Sequence, residues 1–148
     1  MRLSLLAIVL AVSLWPSDVL ACDCDVPPIA TAIRRADIIV TGRITKLEWV
    51  ESSGVIRVEI AIAESLKGPA AKGTVVAYTR PYGVSCFGYD LRIGRDYIVF
   101  ASHPQPAIEP VTLPPSSYLI GLCGGTSELG QRQGNQRLTA TKEALRGR

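Results

Sequence analysis

The alternation of apolar and polar residues along the chain predicts short β-strands as its main elements. Five segments are rich in β-branched residues or alternate between apolar and polar ones, with turn-forming residues between them. They are residues 37–45, 55–62, 73–78, 96–101 and, with the weakest pattern, 118–122. Because only a short connection containing Ser52-Ser53-Gly54 separates the first two, we expect those strands to form a hairpin.

Helical patterns are fewer and shorter. Residues 28–35 predict a short helix, and Thr126 or Ser127 is expected to cap a turn that runs through Glu128. Residues 138–145 favour a helix within a basic tail, 131–148, which is otherwise expected to be disordered. Together the elements predict a mainly β fold with short flanking helices: a five-stranded OB-like Greek-key barrel or a compact sandwich. The pattern alone leaves both open.

The first 21 residues have the pattern of a secretory signal peptide. Arg2 gives a positive start, an apolar run covers residues 3–15, and Ala21 is a small residue at the expected cleavage site. The run is too short for a membrane-spanning helix, and no later segment is more suitable. We therefore expect a secreted or periplasmic protein whose mature chain begins Cys22-Asp23-Cys24-Asp25, with one domain over residues 22–130.

Export determines how the four cysteines are interpreted. In an oxidising compartment paired disulfides are the default, and a bridge between Cys22 and Cys24 would close a strained ring. Two pairings remain: Cys22–Cys86 with Cys24–Cys123, or Cys22–Cys123 with Cys24–Cys86. The alternative fate of Cys22 is lipidation, since Val19-Leu20-Ala21-Cys22 is a degenerate lipobox. Acylation would leave one cysteine unpaired, and the even cysteine count argues against a lipoprotein.

Seven short motifs follow one another along residues 22–129. They are Cys22-Asp23-Cys24, Pro27-Pro28, Ala36-Asp37-Ile38-Ile39-Val40, Leu66-Lys67-Gly68, Val84-Ser85-Cys86-Phe87-Gly88-Tyr89, the glycine-led strand at 94–100, and Leu122-Cys123. In this order and spacing the chain resembles the inhibitory N-terminal domain of the tissue inhibitors of metalloproteinases and the wider netrin-like module. The resemblance implies an OB-like five-stranded barrel with two disulfides, Cys22–Cys86 and Cys24–Cys123.

The chain departs from the animal inhibitors in two ways. Arg34 stands where a third disulfide would begin, and the separate C-terminal domain of those inhibitors is missing. The chain therefore looks like a single-domain relative of the type that bacteria export.

The resemblance also implies a mechanism and a contact surface. In that family the α-amine and backbone carbonyl of the first cysteine chelate the catalytic zinc of a metalloprotease, a role that falls here to Cys22. An α-amine has a pKa of about 7.7–8.0, so zinc readily displaces its proton. The zinc belongs to the partner, and no cofactor of this chain is expected. The implied target-binding residues are Cys22, Asp23, Cys24, Asp25, Val84 and Ser85.

Asp23 is the main departure within this surface. The family commonly has a small neutral residue here, pointing into the specificity pocket of the protease. Burying a carboxylate there costs several kcal/mol unless a basic residue faces it, so we expect weak or no inhibition of typical matrix metalloproteinases. The alternative function is a disulfide-stapled binding module of the envelope or extracellular space, without inhibitory activity.

Other functional classes find little support in the sequence. His103 is the only histidine, and no carboxylate or nucleophile lies at motif spacing from it, so we expect no enzyme activity. The basic tail has no interleaved aromatic residues and no base-reading motif, so no nucleic-acid partner is expected. The expected partner is an extracytoplasmic zinc metalloprotease or another protein.

Overall fold

The computed structural model describes residues 25–69, 72–82, 88–105 and 112–147. Within these ranges the protein is mainly β, with a six-stranded sheet curled into a half-barrel and two helices, where five strands were predicted. In chain order the elements are α1 (Ile29–Arg35), β1 (Ile38–Val50), β2 (Val55–Lys67), β3 (Thr74–Thr79), β4 (Asp96–Ala101), β5 (Tyr118–Ile120), β6 (Ser127–Glu128) and α2 (Arg132–Arg146).

The strands lie in the order β5-β3-β2-β1-β4-β6. All neighbours are antiparallel except β3 and β5, which are parallel. Directly after β4, Ser102 forms an isolated antiparallel bridge with Leu119 of β5. Its two backbone hydrogen bonds measure 3.1 and 2.7 Å. The curl of the sheet thus brings β5 beside the end of β4, although the two strands are not neighbours in the sheet order.

The predicted hairpin of β1 and β2 is confirmed, and each strand has 13 residues. The backbone N–H of Gly54 donates to the carbonyl of Val50 at 2.9 Å and closes the turn. The pairing shifts register at three places along β1, the last between Ile44 and Lys46. Bulges of this kind bend a strand and increase its twist, which accounts for the curl of the sheet.

Strand β4 and the first part of β1, residues 38–42, are buried on both faces. Val40 and Val99 belong to the core inside the half-barrel, whereas Ile39, Ile98 and Phe100 belong to a second cluster outside it. The helices α1 and α2 cover this outer cluster, with Ile33 fully buried. Two-sided burial explains why β4 and the start of β1 appear in the sequence as apolar runs without a regular alternation.

The expected capped turn at Thr126 or Ser127 is wrong. Ser127 and Glu128 form β6, which pairs with Ile98 and Tyr97 of β4. The buried Thr126 hydroxyl accepts a hydrogen bond from the Phe100 N–H at 3.0 Å and lies 3.3 Å from the Phe100 carbonyl. Its hydroxyl is therefore used to extend the strand pairing rather than to cap a helix.

Helix α2 is longer than the predicted helical segment 138–145 and packs on the outer cluster. Its first turn lies directly against β6, since a Cβ on Gly134 would come within 1.9 Å of the Glu128 carbonyl oxygen. The Asn135 side chain accepts a hydrogen bond from the Gly130 N–H at 3.1 Å. Neither described helix combines the length and the apolar character that a membrane crossing requires.

Candidate protein-binding site

Most of the predicted contact residues lie outside the described residues: Cys22, Asp23, Cys24, Val84 and Ser85, and with them Cys86. Asp25 is described and exposed. Cys123 is also exposed and is disulfide-bonded, but the pairings Cys22–Cys86 and Cys24–Cys123 stay predictions. The described residues that flank these positions show how the fold holds the two predicted contact segments.

Thr79, at the end of β3, holds one side of the loop that contains Val84 and Ser85. Its buried hydroxyl accepts a hydrogen bond from the Tyr89 N–H at 3.1 Å and donates to the Ile120 carbonyl of β5 at 3.0 Å. A hydroxyl both accepts and donates, so one side chain ties the returning loop and β5 to β3.

Gly88 brings the two ends of the same loop together. A Cβ at this position would lie 1.8 Å from the Arg80 carbonyl oxygen and 2.8 Å from the Pro81 carbonyl carbon. No residue with a side chain fits this contact without a shift of the backbone. The glycine therefore allows the chain to enter and leave residues 83–87 through one narrow stem.

Arg137 of α2 holds the segment that follows the predicted N-terminus. Its guanidinium donates to the Pro27 carbonyl at 3.3 Å and lies over the Phe100 ring, 5.4 Å from the centroid. On another side it fills the space that a side chain on Gly125 would occupy. Burial lowers the pKa of Arg137, and the nearby Tyr89 phenol partly opposes that shift.

A cleft of about 310 Å³ lies between the stem of the 83–87 loop, β6 and the start of α2. Leu122, the neighbour of Cys123, also lines it, so the cleft adjoins the chain on both sides of Cys86 and the residue before Cys123. Its lining residues are Tyr82, Tyr89, Asp90, Arg92, Tyr97, Leu122, Ser127, Glu128, Gln131, Gln133 and Gly134.

The tyrosine side chains that line the cleft lie in a weakly negative electrostatic potential. Tyr89 and Tyr97 meet edge to face with centroids 6.3 Å apart. Burial raises the pKa of both phenols. The carboxylates of Asp90 and Glu128 raise the pKa of Tyr89 further. The Tyr97 hydroxyl accepts a hydrogen bond from the Arg92 N–H at 3.1 Å. The cleft is therefore chemically suited to polar or positively charged groups that also pack against aromatic rings.

The remaining titratable residues singled out by sequence have structural contacts. His103 stacks on Tyr118 with centroids 4.9 Å apart, and its Nδ1 lies 2.9 Å from the Ser117 carbonyl. In the ranges that the structure describes, no three His, Cys, Asp or Glu side chains come together as a metal site.

Sequence reasoning missed Thr79, Arg137 and the cleft. Arg137 lies within the basic tail that the sequence predicts to be largely disordered, and Thr79 is one threonine among several in apolar strands. Gly88 was the one available signal, since it directly follows the predicted contact loop.

The sequence matches no known family model. A search of curated proteins likewise finds no match. The family resemblance consequently rests on the motifs quoted from the sequence.

Proposed function

We propose that this chain is an exported inhibitor-like domain whose mature N-terminus binds the catalytic zinc of an extracytoplasmic metalloprotease. The ligands are the Cys22 amine and carbonyl, and the residues from Asp23 to Asp25 with Val84 and Ser85 complete the contact. The observation that carries the proposal is a pair of anchors, one beside each predicted contact segment. Arg137 holds the chain just after the N-terminal segment, and Thr79 holds the stem of the second segment.

Tyr89 connects the two anchors. Its backbone N–H donates to the Thr79 hydroxyl, and its phenol and the Arg137 guanidinium each affect the pKa of the other. An inhibitor that works through backbone atoms needs this arrangement, because a ridge that is ordered before binding loses little entropy when it binds. The amine and carbonyl would then occupy the position that a catalytic zinc otherwise leaves to water.

The strand order supports an OB-type barrel as the finer description of the fold. In the sheet, β1 pairs with β2, β2 with β3, and β3 with β5, while β4 pairs with the other side of β1. The Ser102–Leu119 bridge then links β5 to the end of β4. On this interpretation β6 is a two-residue addition at the open edge. Disulfides Cys22–Cys86 and Cys24–Cys123 would join the N-terminus to the loop after β3 and to the turn after β5.

The test uses Asp23, since its carboxylate opposes binding to the apolar pocket of a matrix metalloproteinase. The mature protein carrying Asp23→Thr should inhibit the catalytic domain of such an enzyme at least tenfold better than the unchanged protein, because no carboxylate is desolvated. One alanine added before Cys22 of that variant should abolish inhibition by removing the free amine. Inhibition that survives the extension would contradict chelation. No inhibition by Asp23→Thr would favour the binding module without inhibitory activity.

A further inference from the structure

We propose that the cleft beside Tyr89 binds one basic side chain, an arginine or a lysine, of the protein partner. The inference rests on the proposed function, because it makes the cleft a second contact beside the N-terminal ridge. The proposal further implies that the partner protein has a positively charged side chain on its surface beside the catalytic zinc.

Glu128 is the charged group that a basic side chain would meet. Its side chain is 17 % exposed, and its nearest cation, Arg95 Nε, stands 3.8 Å away, beyond hydrogen-bond distance. Within the described residues the carboxylate accepts no hydrogen bond. Its ion pair is thus a long one, to an arginine side chain that is itself exposed, and a guanidinium or ammonium group in the cleft would supply direct donors.

The aromatic residues fit the rest of such a side chain. Tyr89 and Tyr97 form the wall, and Tyr82, which is 62 % exposed, stands at the mouth. A cation over a tyrosine ring is attracted by the ring, and its aliphatic stem packs on the same surface. A volume near 310 Å³ lies at the lower end of ligand pockets, so the cleft suits a side chain better than a large cofactor.

The charge balance of the cleft favours a cation over an anion. Among the described residues of the lining, Asp90 and Glu128 are acidic and Arg92 alone is basic, with its guanidinium paired to Asp90 at 3.3 Å. Behind the lining, Arg95 pairs with Glu128, and Arg137 is held by the Pro27 carbonyl and the Phe100 ring. The first turn of α2 would attract an anion, but Glu128 already places a carboxylate at this end of the cleft. The exposed Asp25 adds negative charge to the segment held by Arg137.

The test follows amide NMR signals of the mature protein during titration with arginine blocked at both ends. Citrulline blocked in the same way is the neutral control. Blocked arginine should shift signals of residues 88–92 and 127–134 saturably, with a dissociation constant on the order of 1 mM. Citrulline should bind at least tenfold more weakly. Glu128→Gln should remove the arginine response, and Glu143→Gln, on the exposed face of α2, should leave it unchanged.

Several results would overturn the proposal: no saturable shift with arginine, equal shifts with citrulline, or the same signals responding to inorganic phosphate instead. If Glu128→Gln does not fold, the exposed Tyr82→Ala takes its place and should weaken arginine binding several-fold. The titration involves neither protease nor free amine, so a chain extended before Cys22 should bind arginine equally well. Arginine binding without any inhibition would therefore overturn the proposed function alone.

Discussion

Replacing Thr79 by valine tests whether a single hydroxyl holds the stem of the predicted contact loop. Valine has nearly the same shape but no hydroxyl, so the Tyr89 N–H and the Ile120 carbonyl lose their shared partner. A net hydrogen bond contributes about 1 kcal/mol, and a buried group left unsatisfied costs about 1–3 kcal/mol. Since Thr79 is 1 % exposed, water cannot replace the hydroxyl, and we expect a loss of about 2–4 kcal/mol.

The assay is chemical denaturation of the chain from Cys22 onward, prepared under oxidising conditions, together with hydrogen exchange at the Tyr89 amide. Thr41→Val is the matched control: Thr41 is 5 % exposed, but its hydroxyl forms no hydrogen bond within the described residues. That variant should be near neutral. Thr79→Ser keeps the hydroxyl and should lose only about 1 kcal/mol, the value of one buried methyl group.

The reasoning is refuted if Thr79→Val unfolds at the same denaturant concentration as Thr41→Val. It is also refuted if the Tyr89 amide exchanges as slowly in Thr79→Val as in the unchanged protein. In either case the loop stem would be held by something other than this hydroxyl.

Three further predictions concern single side chains. Gly88→Ala should destabilise the protein by about 1–3 kcal/mol in denaturation, because its Cβ would overlap a backbone carbonyl; full stability would contradict the tight stem. Arg137→Lys keeps the charge but loses the planar group over Phe100, so the amides of Val26 and Ile29, on either side of the two prolines, should exchange faster, whereas Arg132→Lys, at the exposed start of α2, should not change them. Hydrogen bonds from Arg43 lower the pKa of Asp96 below its ordinary 3.8. The pair thus stabilises the fold above that pH and loses its effect as pH falls through the lower folded value. Asp96→Asn should be less stable at neutral pH and converge with the unchanged protein in acid; a constant difference would exclude this linkage.

The parts of the fold that sequence predicts well are those with local causes. The hairpin follows from two β-branched runs around one turn, and β4 was predicted at its observed bounds, Asp96–Ala101. The last five residues of β2, 63–67, lie beyond the predicted strand because they pair with the bulged part of β1, where the regular alternation of side chains between the two faces breaks down. Residues 63–67 lack the apolar–polar pattern that would have extended the strand.

Elements fixed by tertiary contacts could not be predicted in the same way. The first turn of α2 contains Gly134 and has no capping side chain, both unfavourable signs for a helix start. The close approach of that glycine to Glu128 nevertheless positions the turn. β6 is two residues long and exists because β4 offers a free edge.

The candidate site, too, has one part that the sequence indicates and another that depends on tertiary contacts. The N-terminal motif and the glycine of the loop stem are visible in the sequence, because their residue types have special chemistry or geometry. The cleft is assembled from two stretches that are far apart in the chain, residues 82–97 and 122–134. Nothing in the local pattern of either stretch indicates that they meet. Arg137 is a similar case, since its partner Pro27 lies 110 residues earlier.

The most direct test of the account is the intact mass and N-terminal sequence of the exported protein. We predict a chain that begins at Cys22 with a free amine, lacks four hydrogens relative to the fully reduced chain because of two disulfides, and carries no acyl group. Peptide mapping should pair Cys22 with Cys86 and Cys24 with Cys123. A lipid on Cys22, a chain that begins elsewhere, or free thiols in the exported protein would contradict the proposal that its N-terminal amine binds zinc.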